Sequence, residues 1–427
     1  MSITDINARR REEHNREKQR RGLNEDPDNK RIVNDNIIYV REYDHALFLT
    51  VVVLVCFGLV MILSSSYYVS LTSEKFENNI FYFFAKQSMA TAIGFVALIV
   101  AAVINYNFVC KFAPLLYLLA CVCLLYVALF GEVTNGAKRW MYIGPFGFQP
   151  SEFAKVSMVL LLALYIGKDP RRVNTLRGLA VCALIVALPA GLVMWGKNTS
   201  TLIIIVVIAA AMIFVASPHF WRWIALAAGG VTAFMIYLTK FSTGYHAARY
   251  AAHLDPFSDP TEAGYQIIQG LYAVASGGLF GLGLGKSNQK LVFMPEPHND
   301  FIFAVICEEL GFFGALIVLI LFGVFIWRGV RVALKATDVT GMLIATGTTV
   351  LVAMQVIINV SVVTNTIVNT GIPLPFISYG GTSVAFILAL TGVMLNVSRH
   401  HDKAVEDRTN EERERKRTKT ETGRATR

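Results

Sequence analysis

The chain has 427 residues, of which 54% are hydrophobic and only 16% charged, a balance too apolar and too poor in charge for an ordinary soluble enzyme. The formal net charge of +9 does not point to nucleic acid, because the tails 1–44 and 399–427 hold 20 of the 39 basic residues together with 17 of the 30 acidic ones. Mixed charge with few aromatics is the composition of solvated, disordered chain, and the two tails are expected to be that.

From the N-terminus, no apolar signal-peptide core precedes residue 46, so the first helix is expected to serve as the membrane anchor. Apolar runs long enough to cross a bilayer, roughly 20 residues each, lie at 46–70, 80–104, 109–130, 151–167, 178–195, 201–216, 223–240, 301–327, 339–360 and 379–398. They predict an all-α polytopic membrane domain of ten helices over 45–398, with a large extracytoplasmic loop, about 241–300, between the seventh and eighth. Orientation follows the Lys/Arg content of short connections. A cytoplasmic N-terminus puts Lys111, Lys168, Arg171, Arg172, Arg177, Arg222, Arg328, Arg331 and Lys335 inside, against Lys75, Lys138, Arg139 and Lys197 outside. Both tails are then cytoplasmic.

The six cysteines, Cys56, Cys110, Cys121, Cys123, Cys182 and Cys307, fall in or beside apolar runs and form no CxxC pair. They read as small core residues, with neither a disulfide framework nor a metal site. The helix interiors are nearly bare of ionisable groups, unlike those of a transporter, whose ions or substrate need polar positions at mid-membrane. Polar residues gather instead in the outer connections, above all in the 60-residue segment before the eighth helix. A loop of that length is far longer than a simple connection needs.

The first of these clusters, "NGAKRWMYIGPFGFQPSEFAKV", spans Asn135–Val156. Pro150 at a first helical position, with Glu152 in the first turn and Lys155 three residues on, is a helix start with an intrahelical ion pair. Lys138 and Arg139 beside Trp140 suit a phosphate or pyrophosphate, and equally a snorkelling interfacial group. Next, "GGLFGLGLGKSNQK" looks like a phosphate-cradling loop. A P-loop ending at Gly285, Lys286 and Ser287 needs glycine at 280, where the chain has Phe280, so the motif fails where the backbone would have to approach the phosphate. In "MPEPHNDFIFAVICEELG", Asp300 stands where polar chain meets an apolar helix. It reads either as an N-terminal carboxylate held by backbone N–H groups and the helix dipole or as a general base at the lipid-water boundary. Glu308 and Glu309, two turns deeper, require a partner or a proton. Finally, "NTGIPLPFISYGGTS", Asn369–Ser383, implies irregular backbone at membrane depth, tolerated only when buried in protein or facing a cavity; Gly380 and Gly381 suit close helix packing.

The segments "GAKRW" and "FGFQPSEFAK", then "YQIIQGLYAVASGGLFGLGLGKSNQK", "PEPHNDFIFAVICEELG" and "GIPLPFISYGGTS", resemble in order and spacing the SEDS family (shape, elongation, division and sporulation) over residues 45–398. "LDPFSDP" with Arg249 upstream, and "GLVMILSSS" in the first helix, lean toward the FtsW and SpoVE branch over RodA. In "GKNTST" Asn198 matches the family pattern, with Lys197 where proline is usual, and Val368 replaces another common proline.

The resemblance implies a peptidoglycan glycosyltransferase in the bacterial cytoplasmic membrane, polymerising lipid II into β-1,4 glycan strands at the outer face during division or related wall synthesis. It maps the catalytic aspartate to Asp300, which would take the proton from the acceptor sugar's 4-hydroxyl as that oxygen attacks the donor's anomeric carbon. The α-linked donor then gives a β-linked product by inversion, with undecaprenyl pyrophosphate leaving. Lys138, Arg139, Arg249, Lys286 and Lys290 are the cations expected at the substrate, together with Gln289, Glu296 and His298. Glu152, Lys155, Glu308, Glu309, Ser378, Gly380 and Gly381 are expected to support the site. No metal-ligand motif is visible, although a divalent cation, Mg or Mn, could assist the pyrophosphate. Expected partners are a class B penicillin-binding transpeptidase and other divisome or elongation proteins, with no nucleic acid. Rival readings are a lipid II flippase, which would need a polar path through the helices, and a division scaffold without chemistry.

Overall fold

The computed structural model describes residues 43–72, 78–131, 133–134, 137–143, 146–217, 245–258, 260 and 264–399. Residues 1–42 and 400–427 of the two tails, the span expected at 223–240, Lys75 and Arg222, and Asp259 and Glu262 of the long loop lie outside the described residues. Among those described, nine helices are long and apolar enough to cross a membrane, and the protein is an all-α multi-pass membrane protein. In chain order the helices are α1 (His45–Thr72), α2 (Tyr82–Val103), α3 (Ala113–Phe130), α4 (Pro150–Lys168), α5 (Leu176–Trp195), α6 (Thr199–Ala216), α7 (Tyr245–Leu254), α8 (Tyr265–Ser276), α9 (Ile302–Lys335), α10 (Val339–Val363) and α11 (Gly381–Arg399). Of these, α7 and α8 belong to the long loop and are too short to span. Residues 131–149 add two small antiparallel hairpins, β1 (Val133–Thr134) with β2 (Ala137–Lys138) and β3 (Met141–Ile143) with β4 (Phe146–Phe148).

Long apolar runs become helices because an apolar surrounding leaves each backbone N–H and C=O dependent on partners within its own segment. Polar residues set the ends. The Thr175 hydroxyl accepts from Gly178 N–H at 3.1 Å to open α5, and Asp338 Oδ1 accepts from Gly341 N–H at 2.8 Å to open α10. Pro150 occupies the first position of α4, where its missing N–H has no helical partner to lose. The most apolar stretches of α4, α10 and α11 are 78%, 67% and 67% buried, against 22% for α2. The centre of the bundle is therefore α4, α10 and α11, with α2 at its edge.

The helix limits match the apolar runs to within a few residues, except at α9. That helix continues to Lys335 and is broken at Gly311, which takes left-handed φ +68° and ψ −168°. The glycine loop fills the gap. Leu282 and Gly283 N–H donate to the carbonyls of Glu308 and Glu309 at 2.9 Å, and Phe312 and Phe313 N–H donate back to Gly278 and Leu279 at 2.9 and 3.2 Å. A side chain at Gly311 would collide with the backbone of Gly281 and Leu279. These glycines serve backbone-to-backbone contact with a broken helix, which is the role their failed nucleotide motif leaves open.

Two carboxylates fasten the loop further. Glu308 accepts from the Ser287 hydroxyl and from the N–H groups of Asn288 and Gln289 at 2.9 and 3.3 Å, opening the short helix Gln289–Val292. Glu309 pairs with the Lys290 ammonium, and Ser64 of α1 donates to Glu309 and accepts from Lys290, at 2.8 and 2.9 Å. At the opposite end of the bundle, Arg328 holds Asp44 at 2.6 Å, and Asp44 N–H reaches the Ser398 hydroxyl at 3.2 Å, joining α9, α1 and α11.

Both side chains of the Lys290–Glu309 pair are at most 1% exposed. Removing one partner strands a buried charge, at a cost of about 3–5 kcal/mol, whereas replacing both with apolar groups is close to neutral. Lys290→Met alone is therefore expected to melt lower in detergent than Lys290→Met combined with Glu309→Leu. A double variant no more stable than the single one would show that the pair is not the clasp described.

Candidate active site

At the end of the bundle formed by the N-termini of α4, α6, α9 and α11, the walls enclose a cavity of about 440 Å³. The irregular segments deliver its chemistry. Asp300 and Glu296 come from the turn ahead of α9, Arg249 from α7, Arg139 and Trp140 from the hairpin region, and Gly371 from the segment after α10.

Asp300 is half-buried. Its backbone carbonyl accepts from Asn359 Nδ2 at 2.7 Å, and the same amide donates to Ile372 O at 2.8 Å, so one α10 side chain fixes both sides of the site. Gly371 has φ +66°, and a Cβ there would lie 3.6 Å from Asp300 Oδ2 and 3.7 Å from Arg139 Nη1. The carboxylate and the guanidinium thus meet across a glycine that leaves the space between them open. Arg249 Nη1 donates to Asn369 O at 2.8 Å, and Asn369 Nδ2 donates to Gln266 Oε1 at 3.3 Å. Burial pushes the Asp300 carboxyl up to about 6; its own backbone N–H and Arg249 oppose that, Glu296 adds to it, and Arg139 opposes it. A carboxylate of this kind is ionised at neutral pH yet a stronger base than an exposed one.

The other expected site residues divide. Glu296 lines the cavity beside Asp300 and accepts from Asn299 Nδ2 at 2.6 Å. Lys138 does not line it: its ammonium donates to the carbonyls of Ala128 and Leu129, at 3.3 and 3.1 Å, capping the C-terminal end of α3. Lys290 is held in the clasp with Glu309, Lys286 is exposed outside the cavity wall, and Gln289 gives its N–H to Glu308. His298 stands behind the wall, 3% exposed, its ring packed at a tilt against Phe83 with centroids 4.2 Å apart; burial pushes its imidazole down to about 4, so it is neutral at physiological pH. The expected gathering of five cations thus resolves to two, because three of the lysines serve a helix end, a buried carboxylate and solvent.

Among the supporting residues, Lys155 and Glu152 form an ion pair of 2.8 Å in the cavity wall, and Ser383 of α11 donates to Glu152 at 3.0 Å. Gly380 lines the cavity and gives its N–H to Gln87 Oε1 at 3.1 Å; Gly381 also lines it and lets α11 approach Ala90 of α2. Ser378 folds inward, its hydroxyl accepting from Leu374 N–H at 2.8 Å. Glu308 and Glu309 support the loop from below. Lining residues that sequence reasoning missed include Lys86, Gln355, Thr370 and Thr382. Lys86 has the Tyr82 hydroxyl as its partner at 2.6 Å. In the sequence it is one cation after a run of aromatics, Gln355 is a neutral residue in an apolar run, and Thr370 and Thr382 are small hydroxyls within the segment Asn369–Ser383, where the prolines and glycines gave the signal. Among the described residues no group of three or more His, Cys, Asp or Glu gathers to hold a metal ion.

Residues 44–403 match the family model described as cell cycle protein, that of FtsW, RodA and SpoVE. The chain is similar to stage V sporulation protein E of Bacillus subtilis, 39% identical over 361 residues, covering 84% of this chain and 97% of that one. It is 36% identical to the probable peptidoglycan glycosyltransferase FtsW of a Geobacter species, covering 84% and 97%. Among solved structures, a chain of a peptidoglycan synthase complex superposes with a TM-score of 0.69 at 26% identity, covering 84% of this chain and 98% of that chain. The rod shape determining protein RodA of Thermus thermophilus superposes with 0.61 at 25%, covering 84% and 97%.

Because the folded Asp300 carboxyl titrates near 6, above its ordinary 3.8, the folded chain holds this proton more tightly than the unfolded one. The contribution of Asp300 to stability therefore falls as pH rises from 3.8 through 6 and stays low above. Asp300→Asn, neutral throughout, is expected to raise the melting temperature at pH 8 and to leave it nearly unchanged at pH 4. A variant less stable than the native chain at pH 8 would contradict a carboxyl strained by burial.

Proposed function

This chain belongs to the family of cell cycle proteins that includes FtsW, RodA and SpoVE, and from that membership we infer that it is a peptidoglycan glycosyltransferase acting on lipid II in the cytoplasmic membrane. The observation that carries the reading is Asp300 in the cavity, anchored by Asn359, facing Arg139 across Gly371 and held near pH 6 by burial against two arginines.

Asp300 is the base. It takes the proton of the acceptor's 4-hydroxyl while that oxygen bonds to the donor's anomeric carbon. The bond from that carbon to the pyrophosphate oxygen breaks with its electron pair, the configuration inverts, and the lipid pyrophosphate leaves. Asp300 then returns its proton to water through the cavity mouth. Arg139 and Arg249 lie where negative charge develops, and guanidinium groups suit bidentate contact with phosphate oxygens. The buried Glu152–Lys155 pair orders the wall and leaves no net charge there to compete for the anion.

The cavity end is the outer one. The opposite end carries Lys168, Arg171, Arg172, Arg328, Arg331 and Lys335, which the positive-inside bias assigns to the cytoplasm; both termini then face the cytoplasm. A flippase is disfavoured by what lies deeper. Below the Glu152–Lys155 pair the described residues of α4, α6 and α10 bury no further charged side chain, and Met158, Leu162, Ile205, Ile208, Leu351 and Val352 are at most 1% exposed, which speaks against a charged path through these helices. A class B penicillin-binding transpeptidase is the partner this reading implies, consistent with the similarity to a chain of a synthase complex.

Purified protein, with a partner lacking any glycosyltransferase site of its own, is expected to polymerise lipid II. Asp300→Asn should lower the rate by about 10²–10⁴-fold, the usual worth of a positioned base. The native rate should fall with unit slope below about pH 6, the pH near which Asp300 titrates. Equal product from both chains would remove Asp300 as the base. Arg139→Ala is expected to weaken substrate handling markedly more than Lys138→Ala, whose ammonium is committed to helix carbonyls; the reverse order would move the pyrophosphate site.

A further inference from the structure

One part of the cavity wall is neutral, buried and without partners. Gln355 of α10 is 1% exposed, and its carboxamide oxygen Oε1 is buried with no hydrogen-bond partner among the described residues. The hydroxyls of Thr370 and Thr382 are likewise buried and unpartnered. All three residues line the cavity. Buried polar groups are mostly hydrogen-bonded; of the buried atoms without a partner among the described residues, these three belong to neutral residues that line one cavity, where a ligand can complete them. Gln355 lies four residues before Asn359, hence on the same face of α10 and about 6 Å deeper than the group that anchors Asp300. Lys155, on the α4 helix that packs against α10, is already neutralised by Glu152, so this wall suits a neutral group that both donates and accepts. A carboxamide pairs reciprocally with a secondary amide, whose N–H donates and whose carbonyl accepts.

We propose that Gln355 is a specificity-determining residue that recognises the acetamido group of the acceptor amino sugar, with Thr370 and Thr382 receiving its ring hydroxyls. The inference rests on the glycosyltransferase reading and adds to it a basis for choosing the sugar. Asp300 and the arginines act on the hydroxyl and the pyrophosphate that any hexose donor-acceptor pair would present. Gln355 distinguishes an N-acetylated sugar from one with a hydroxyl at the same carbon, because the second leaves the buried amide unpaired.

The test compares lipid II with an analogue whose terminal N-acetylglucosamine is replaced by glucose, in the full-length native chain and in Gln355→Leu, which keeps the volume and removes the amide. The native chain is expected to prefer the acetamido substrate by about 100-fold in kcat/KM, and Gln355→Leu by no more than about threefold, the loss falling mainly on the acetamido substrate. A preference kept intact, with both substrates slowed equally, overturns the proposal and makes Gln355 a packing residue. The same two lipids are also titrated into nanodiscs holding Asp300→Asn, with and without Gln355→Leu. If no chain polymerises, the enzyme reading fails on its own, and loss or retention of discrimination in binding still decides the role of Gln355.

Discussion

Irregular backbone inside an apolar bundle persists only where the protein itself supplies the hydrogen bonds that water cannot. The gap in α9 at Gly311 is the place where this demand is greatest, and the 277–283 loop meets it with four backbone hydrogen bonds. The rest of the site follows from that contact. Because the loop is fastened to the gap, and Glu308 and Glu309 hold Ser287 and Lys290, the chain between Lys290 and Asp300 has both ends fixed. The base is thus carried by a short irregular segment without being loose.

Within that frame the behaviour of Asp300 is a balance of two opposed effects. Burial alone would favour the protonated acid, useless as a base at neutral pH, while close arginines alone would make a strong acid whose conjugate base is weak. Burial is the largest effect, and the backbone N–H of Asp300, then Arg249 and Arg139, offset part of it against a further push from Glu296, leaving the carboxyl near 6. The same arginines that temper the acid are those placed to receive a pyrophosphate. Binding of an anion would neutralise them and raise the Asp300 carboxyl further, strengthening the base as the substrate arrives.

Apolar runs made the helices readable in the sequence, because twenty residues of Leu, Val, Ile and Ala leave a backbone in lipid no other choice. The break in α9 was not readable there: "EELGFF" continues an apolar helix by composition, and only the loop packed against Gly311 shows why it stops. Asp300 stood out because a carboxylate at the edge of an apolar run is expensive without a reason. Among the cations, position in sequence misled, since Lys138 and Arg139 are neighbours whose side chains part, one to the end of α3 and the other to the cavity. Gln355 gave no signal at all. A glutamine inside "LVAMQVIINV" looks like a tolerated polar residue, and its meaning comes from the cavity that it lines together with Thr370 and Thr382.

The fate of the lysines shows why the cavity keeps so few cations. A lysine near the membrane finds an acceptor wherever one is reachable: helix carbonyls for Lys138, Glu309 for Lys290, Glu152 for Lys155. Each lowers the energy of the fold and withdraws one charge from the substrate. Arginine, with five donors on a planar group, can hold the protein and contact an anion at the same time; Arg249 holds the wall through Nη1, which donates to Asn369 O. A site that must bind a pyrophosphate and still stay folded without it therefore favours arginine at the reacting end, and lysine in the positions that keep the walls in place.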